Sequence, residues 1–252
     1  YCLKRGIPFT TAYHTQIPEY VRARFPIPVG WTVALMRWFH KPAVRTMVPT
    51  KSMRQTLLDR GFEDVVIWSR GVLTDVFTLD DPVEYDFKGP VWVYVGRVAV
   101  EKNIEEFLDL NLPGAKVVIG DGPDRERLAS AYPDCHFLGY KFGRDLARHI
   151  AGADVFVFPS KTDTFGIVML EAMACGVPVA AFPVTGPIDV VRSGETGCLD
   201  EDLTAACSRA LELNRWDCRQ YAESRSWRRS TQQFVNNLAP RRELFPAGAK
   251  AD

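Results

Sequence analysis

From residue 91 onward, short apolar runs alternate with segments whose apolar positions recur every three or four residues. VWVYVG (91–96) precedes helical spacing at 104–110, KVVIG (116–120) precedes 125–132, and CHFLG (135–139) precedes 144–151. DVFVFPS (154–160) precedes a helix that ends at Gly176, and VPVAAF (177–182) follows it. Continuous apolar runs of five or six residues predict strands buried on both faces, and strands separated by helices predict a parallel sheet. The pattern predicts a doubly wound α/β domain.

The earlier part is less regular. IPFTTAYH (7–14), AVRTMVPT (43–50) and DVVIWSRGV (64–72) are strand-like, and 51–60 reads as a helix closed by Gly61. Residues 31–39 predict an amphipathic helix with Trp31, Leu35, Trp38 and Phe39 on one side, a stripe that suits either a core or an interface. The acidic segment 80–90, with two prolines and a glycine, predicts a linker. Residues 203–238 predict helix, and the tail RRELFPAGAKAD (241–252) predicts poor order.

With 46% apolar residues over 252, the chain can bury a sizeable core, which argues against disorder. Basic and acidic residues balance at 31 each, so overall charge gives no reason to expect nucleic acid. The distribution is uneven: residues 1–75 hold 11 basic and 5 acidic side chains, net +6. That part suits an anionic lipid or substrate, or is a solvated basic face. The six cysteines have neither zinc-type spacing nor a short-loop disulfide pattern, and read as core residues of a reducing compartment. No apolar run approaches the roughly 20 residues of a membrane span, and no signal-peptide pattern is present. The reading is cytoplasmic, with peripheral contact at an anionic membrane, the inner face of the cell membrane, left open. A chain that opens on Tyr1 and runs at once into a strand-like stretch predicts that a longer protein begins upstream.

In doubly wound sheets ligands bind beyond the C-terminal strand ends. Those positions are GRVAVEK (96–102), GDGP (120–123), GYKFGR (139–144), PSKTDTFG (159–166) and PVTGP (183–187), rich in glycine, charge and hydroxyls. Gly-Asp-Gly-Pro lacks the third glycine of a dinucleotide fingerprint, and Pro123 suits a helix start. In SKTDTFGIVMLEAMACGVPVAA (160–181) a helix is expected from Phe165 or Gly166, capped by Thr164, with its free N–H groups and positive end toward the cleft. Asp163 precedes the first turn and Glu171 lies one and a half turns inside, leaning back toward the N-terminus, so both carboxylates reach one pocket. A carboxylate accepts two hydrogen bonds from a vicinal diol. Capping for Asp163 and a lysine pair for Glu171 are the simpler alternatives, the latter weakened by the apolar surroundings of IVMLEAMA.

GRVAVEKN (96–103), GDGP (120–123) and FPSKTDTFGIVMLEAMACGVPVAA (158–181) resemble the family-4 retaining glycosyltransferases of the GT-B fold, in the family's order. The resemblance implies an α/β fold of GT-B type: residues 1–79 as the last part of an N-terminal Rossmann-like, acceptor-side domain, 80–225 as the nucleotide-sugar-binding domain with its doubly wound parallel sheet, and 226–252 as a crossover helix and tail. It implies that Arg97 and Lys102 neutralise the donor diphosphate, that Asp163 contacts the donor sugar and that Glu171 contacts the ribose. Asp163 is one methylene shorter than the family's usual Glu. Gly96, Phe165, Gly166 and Ile167 join the donor set, and TAYHTQIPEY (11–20) matches the segment that places a histidine, here His14, at the family's cleft. In SRGVLTDVF (69–77) Leu73 stands where the family usually has Asp, and SWRRSTQQFVNNL (226–238) resembles its closing helix.

The implied reaction is metal-independent transfer of a hexose from a UDP- or GDP-sugar to an acceptor, with retention, His14, Arg97, Lys102 and Asp163 being the catalytic candidates and no cofactor beyond the donor. TDTFG followed by PVTGPIDVV is similar to bacterial members that glycosylate lipids, and the Trp31, Arg37, Trp38, Lys41 helix suits an interfacial approach or a core. A nucleotide-sugar or glycan binding module without catalysis, or an epimerase or phosphorylase of the same fold, stays open.

Overall fold

The structure is a computed structural model and describes residues 1–239. In chain order the first elements are β1 (Thr10–Ala12), α1 (Ile17–Arg24), α2 (Val29–His40), β2 (Arg45–Val48), α3 (Lys51–Asp59) and β3 (Val65–Ile67). Then follow β4 (Val91–Val95), α4 (Ile104–Leu108), β5 (Ala115–Ile119), α5 (Arg125–Ala131), β6 (His136–Gly139), α6 (Gly143–Ala151), β7 (Val155–Phe158), α7 (Ile167–Ala174), β8 (Val179–Ala181), α8 (Pro187–Val190), β9 (Gly197–Leu199), α9 (Leu203–Ala210) and α10 (Arg215–Glu223). The final helix is α11 (Trp227–Asn237). The chain divides into two compact units, Tyr1–Ser69 with the chain from Arg228, and Arg70–Trp227. The 241–252 tail lies outside the described residues.

The first unit has a parallel sheet in the order β1-β2-β3. Tyr13, Val48, Met53, Leu57, Phe62 and Val65 form its core, with Val33 and Met36 of α2 packed against it. The α3 helix starts where Thr50 accepts a hydrogen bond from the Met53 N–H, a side-chain N-cap. α11 is fastened to the end of β3: Asn237 donates to the Ile67 carbonyl, Ser230 donates to that of Ser69, and Phe234 packs on Trp68.

The second unit is a six-stranded, wholly parallel sheet in the order β6-β5-β4-β7-β8-β9. Its central strands β4, β7 and β8 are apolar throughout because successive side chains enter different cores, while β5 and β6 toward one edge carry Lys116 and His136. Val91, Val93 and Val95 of β4 join Phe156 and Phe158 of β7 against α6, α7 and α10. Trp92 and Tyr94 join Val155 and Val157 against α4, α5 and α9. Fully burying a side chain of this size contributes about 1.5–3 kcal/mol, so the double coverage supplies most of the drive to fold.

The unit begins at Arg70, and the acidic segment 80–90 belongs to it instead of linking two bodies. Arg219 donates to the carbonyls of Thr74, Phe77 and Ala174, tying the preceding stretch to α7 and α10. The Val83 N–H donates to the Arg148 carbonyl, and the rings of Tyr85 and Phe87 stack. Two aromatic residues among the acids give this stretch enough apolar surface to dock.

Candidate functional site

From β4 the chain winds one way to β5 and β6, then returns to β7 on the other side and continues to β8 and β9. The strand order therefore reverses between β4 and β7, where loops diverge and leave a crevice. A cavity of about 370 Å³ lies there, lined by Arg97, Lys102, Asp163, Glu171, Gly166 and Ile167, with Gly96, Tyr94, Val95, Phe158 and Val168 completing its wall.

The loop after β4 is shaped by close backbone packing. Gly96 has φ 155°, and a Cβ there would lie 2.8 Å from the Tyr94 hydroxyl, which donates to the Arg97 carbonyl at 2.9 Å. Gly120 serves the same loop: its Cβ would lie 1.9 Å from the Gly96 carbonyl oxygen. The first glycine of GDGP is thus a packing requirement that lets the loop after β5 press on the loop after β4. The chain then makes a 3-10 turn, Val100–Lys102, and passes into α4 through Asn103, whose φ is 54°.

Three links sew this turn to the loop after β7. Asn103 donates from Nδ2 to the Pro159 carbonyl at 3.1 Å, and the Thr162 hydroxyl donates to the Glu101 carbonyl at 3.1 Å. Lys102 Nζ donates to both oxygens of Asp163, at 2.7 and 3.0 Å, with both side chains largely buried. Arg97 lies 3.6 Å from the buried Glu101 carboxylate, and its own side chain is more than half exposed at the cavity. The basic pair and Asp163 thus share one cavity, and Lys102 pairs there with Asp163.

α7 starts one step later than expected. Gly166, at φ 74°, is its N-cap residue and makes no side-chain cap, while Thr164 is buried in the preceding loop. A side chain at 166 is excluded twice: by the backbone, and by Met169 Cε and Phe158 Cζ, which would lie 2.7 and 2.8 Å from a Cβ. The Ile167 and Val168 amides, in the first turn of an uncapped helix, are available for an oxyanion. Phe165 is core-packed and does not line the cavity.

Glu171 occupies the cavity wall from the second turn of α7. Burial disfavours its charge and pushes its carboxyl up from 4.5 to about 7. Below about pH 7 such a group keeps its proton, and a ligand that supplies hydrogen-bond donors favours the carboxylate. His14 belongs to the first unit, where its ring lies edge-on to Trp68 at 5.2 Å. Sequence reading missed Tyr94, which braces the Arg97 carbonyl. Its signal was a hydroxyl-bearing ring in an otherwise apolar strand, directly before Val95-Gly96. Among the described residues no three His, Cys, Asp or Glu side chains are placed to hold a metal ion.

Two parallel sheets, with a charged crevice at the reversal point of the larger one, define a GT-B type of glycosyltransferase architecture. Solved structures share it: sucrose-phosphate synthase from Thermosynechococcus elongatus has a TM-score of 0.75 at 22% identity, covering 95% of this chain and 68% of that one. Anabaena HepE in complex with UDP and glucose has a TM-score of 0.70 at 16% identity, covering 93% and 72%. Residues 89–213 match the family described as glycosyl transferases group 1, and residues 1–76 match glycosyltransferase family 4. The chain belongs to this glycosyltransferase family.

Over 204 residues it is 35% identical to a GDP-mannose-dependent alpha-mannosyltransferase of Mycobacterium tuberculosis, covering 77% of this chain and 54% of that protein. Over 215 residues it is 32% identical to a sulfoquinovosyl transferase of Arabidopsis thaliana, covering 77% and 42%. The chain spans about half the length of these curated relatives.

Proposed function

We propose that the protein carrying this chain transfers a hexose from a nucleoside-diphosphate sugar to an acceptor with retention of anomeric configuration, the second unit holding the donor. The observation that carries this reading is the single cavity at the β4/β7 reversal. It brings two cations, two carboxylates and the uncapped start of α7 together within one small volume. A nucleotide sugar presents the complementary groups: a diphosphate for Arg97, Lys102 and the α7 amides, and two diols for Asp163 and Glu171. The sulfoquinovosyl and mannosyl relatives are named for hexose-type sugars, and the GDP-mannose dependence of the latter favours GDP over UDP.

As the glycosidic bond to the diphosphate breaks, charge grows on the β-phosphate, and fixed donors in a partly dry cavity stabilise it most. Arg97 and Lys102 supply that stabilisation. Asp163 faces Lys102, so diphosphate entry competes for the lysine and turns the carboxylate toward a sugar hydroxyl. A carboxylate engaged in this way is a poor covalent nucleophile, which favours same-face attack guided by the leaving phosphate. His14 enters the proposal on its match to the family segment alone. A lipid acceptor at the cytoplasmic face of a membrane fits the net +6 of residues 1–75.

The test is product analysis with the complete polypeptide, GDP- and UDP-hexoses and a lipid or sugar acceptor. Glycosylated product with the donor's own anomeric configuration is expected. An inverted product overturns the mechanism, donor binding without product leaves a binding module, and a need for inorganic phosphate points to a phosphorylase.

A further inference from the structure

α2 is apolar on two sides. Val33 and Met36 pack on the core and His40 is buried, which defines the inner side. Trp31, Leu35, Trp38 and Phe39, spaced i, i+4, i+7 and i+8, form one outer stripe and are 75%, 55%, 71% and 57% exposed. Phe25 and Ile27, in the turn between α1 and α2, are exposed as well. A helix with one packed face and one wet face carries polar residues outward, and a contiguous exposed apolar face marks an interaction site.

The charge around this stripe indicates what it meets. The first 45 residues hold seven basic side chains and one acid, Glu19, which is engaged by Arg60 at 2.7 Å. Among the described residues Lys4, Arg22, Arg37 and Lys41 take part in no ion pair. Glu63 and Asp64 share a cavity with Arg37 and Lys41 on one flank of α2, while the chain from Tyr1 to Arg45, which carries the stripe and the preceding helix α1, keeps a basic excess of six. Tryptophan combined with cations suits the boundary between lipid headgroups and acyl chains. No helix among the described residues is long and apolar enough to cross a membrane, so the contact is one of lying on the surface.

We propose that the outer face of α2 docks on an anionic lipid surface, with Trp31 and Trp38 at headgroup depth and Arg22, Arg37 and Lys41 over the phosphates. As an account of where a lipid acceptor is met, it rests on the acceptor reading above. As a docking surface it is tested apart from it.

The experiment is co-sedimentation of the complete polypeptide with vesicles of phosphatidylcholine alone or with about one third phosphatidylglycerol, with nucleotide affinity measured in parallel. Partition should be more than tenfold higher on the anionic vesicles and fall as salt rises. Arg37→Gln with Lys41→Gln should lose roughly 30-fold, at roughly fivefold per cation near an anionic surface. Trp31→Ala with Trp38→Ala should lose at least tenfold and keep full nucleotide affinity, since both rings are solvent-exposed in the folded chain. Equal partition on both vesicle types, or no loss in the tryptophan variant, overturns the proposal. So does a concentration-dependent dimer that Trp38→Ala abolishes, or shielding of both tryptophans from acrylamide without lipid, since each puts protein on the face. Loss of nucleotide binding with vesicle binding intact would strike the donor reading and leave the docking surface standing.

Discussion

Replacing Glu171 with Gln separates stability from ligand binding at one atom pair. Burial pushes the carboxyl up to about 7 from 4.5. At 1.36 kcal/mol per unit, ionising it in the empty cavity costs at most about 3 kcal/mol, and cavity water lowers that toward 1–2. The sign follows from proton binding. Between 4.5 and 7 the folded chain holds a proton that the unfolded chain has lost, so this group's contribution to stability declines as pH rises through that window and is level above it. Glu171→Gln should therefore unfold like the wild type near pH 4 and be more stable by about 1–3 kcal/mol near pH 8. Urea denaturation at several pH values, followed by the fluorescence of the buried Trp92, reads this difference. Donor affinity should move the opposite way: wild-type affinity rises with pH through about 7 as the carboxylate becomes an acceptor for two hydroxyls, whereas the amide binds weakly and without that dependence. A variant that is less stable near pH 8, or a stability difference that does not change with pH, would refute the desolvation argument.

Lys102→Ala should cost more than tenfold in transfer rate, about 1.4 kcal/mol or more, measured as kcat/KM of the complete polypeptide. Asp163→Asn frees Lys102 from a bidentate pair, so isothermal calorimetry should show GDP or UDP binding several-fold tighter while the sugar-bearing donor gains less. Gly120→Ala places a methyl 1.9 Å from the Gly96 carbonyl oxygen at φ 138° and should destabilise the second unit by more than about 2 kcal/mol in the same urea assay.

The larger sheet was legible because its strands are short, nearly continuous apolar runs set between helices, and all five predicted runs from 91 to 182 appear within a residue or two of their expected places. β9, Gly197–Leu199, went unread because three residues in a Gly-Cys-Leu context carry no periodicity. The 80–90 segment was misjudged because acids and prolines outweighed Tyr85 and Phe87, whose stacking decides its place. Thr164 looked like a cap by residue type, yet the helix starts after Gly166, the only residue type that tolerates both the φ and the crowding there. The pairing of Lys102 with Asp163 was hidden because the two are far apart in sequence and are brought together by strand order, a non-local property. The Trp31 stripe fitted core and surface equally well until Val33 and Met36 were seen to take the inner side.

Calorimetric titration of the chain with GDP, UDP and ADP, repeated with Lys102→Ala and Glu171→Gln, tests the donor site most directly. One nucleoside diphosphate should bind per chain, with affinity lost in the lysine variant and weakened in the glutamine variant. Equal binding by wild type and both variants would place the nucleotide elsewhere and contradict the donor-site reading.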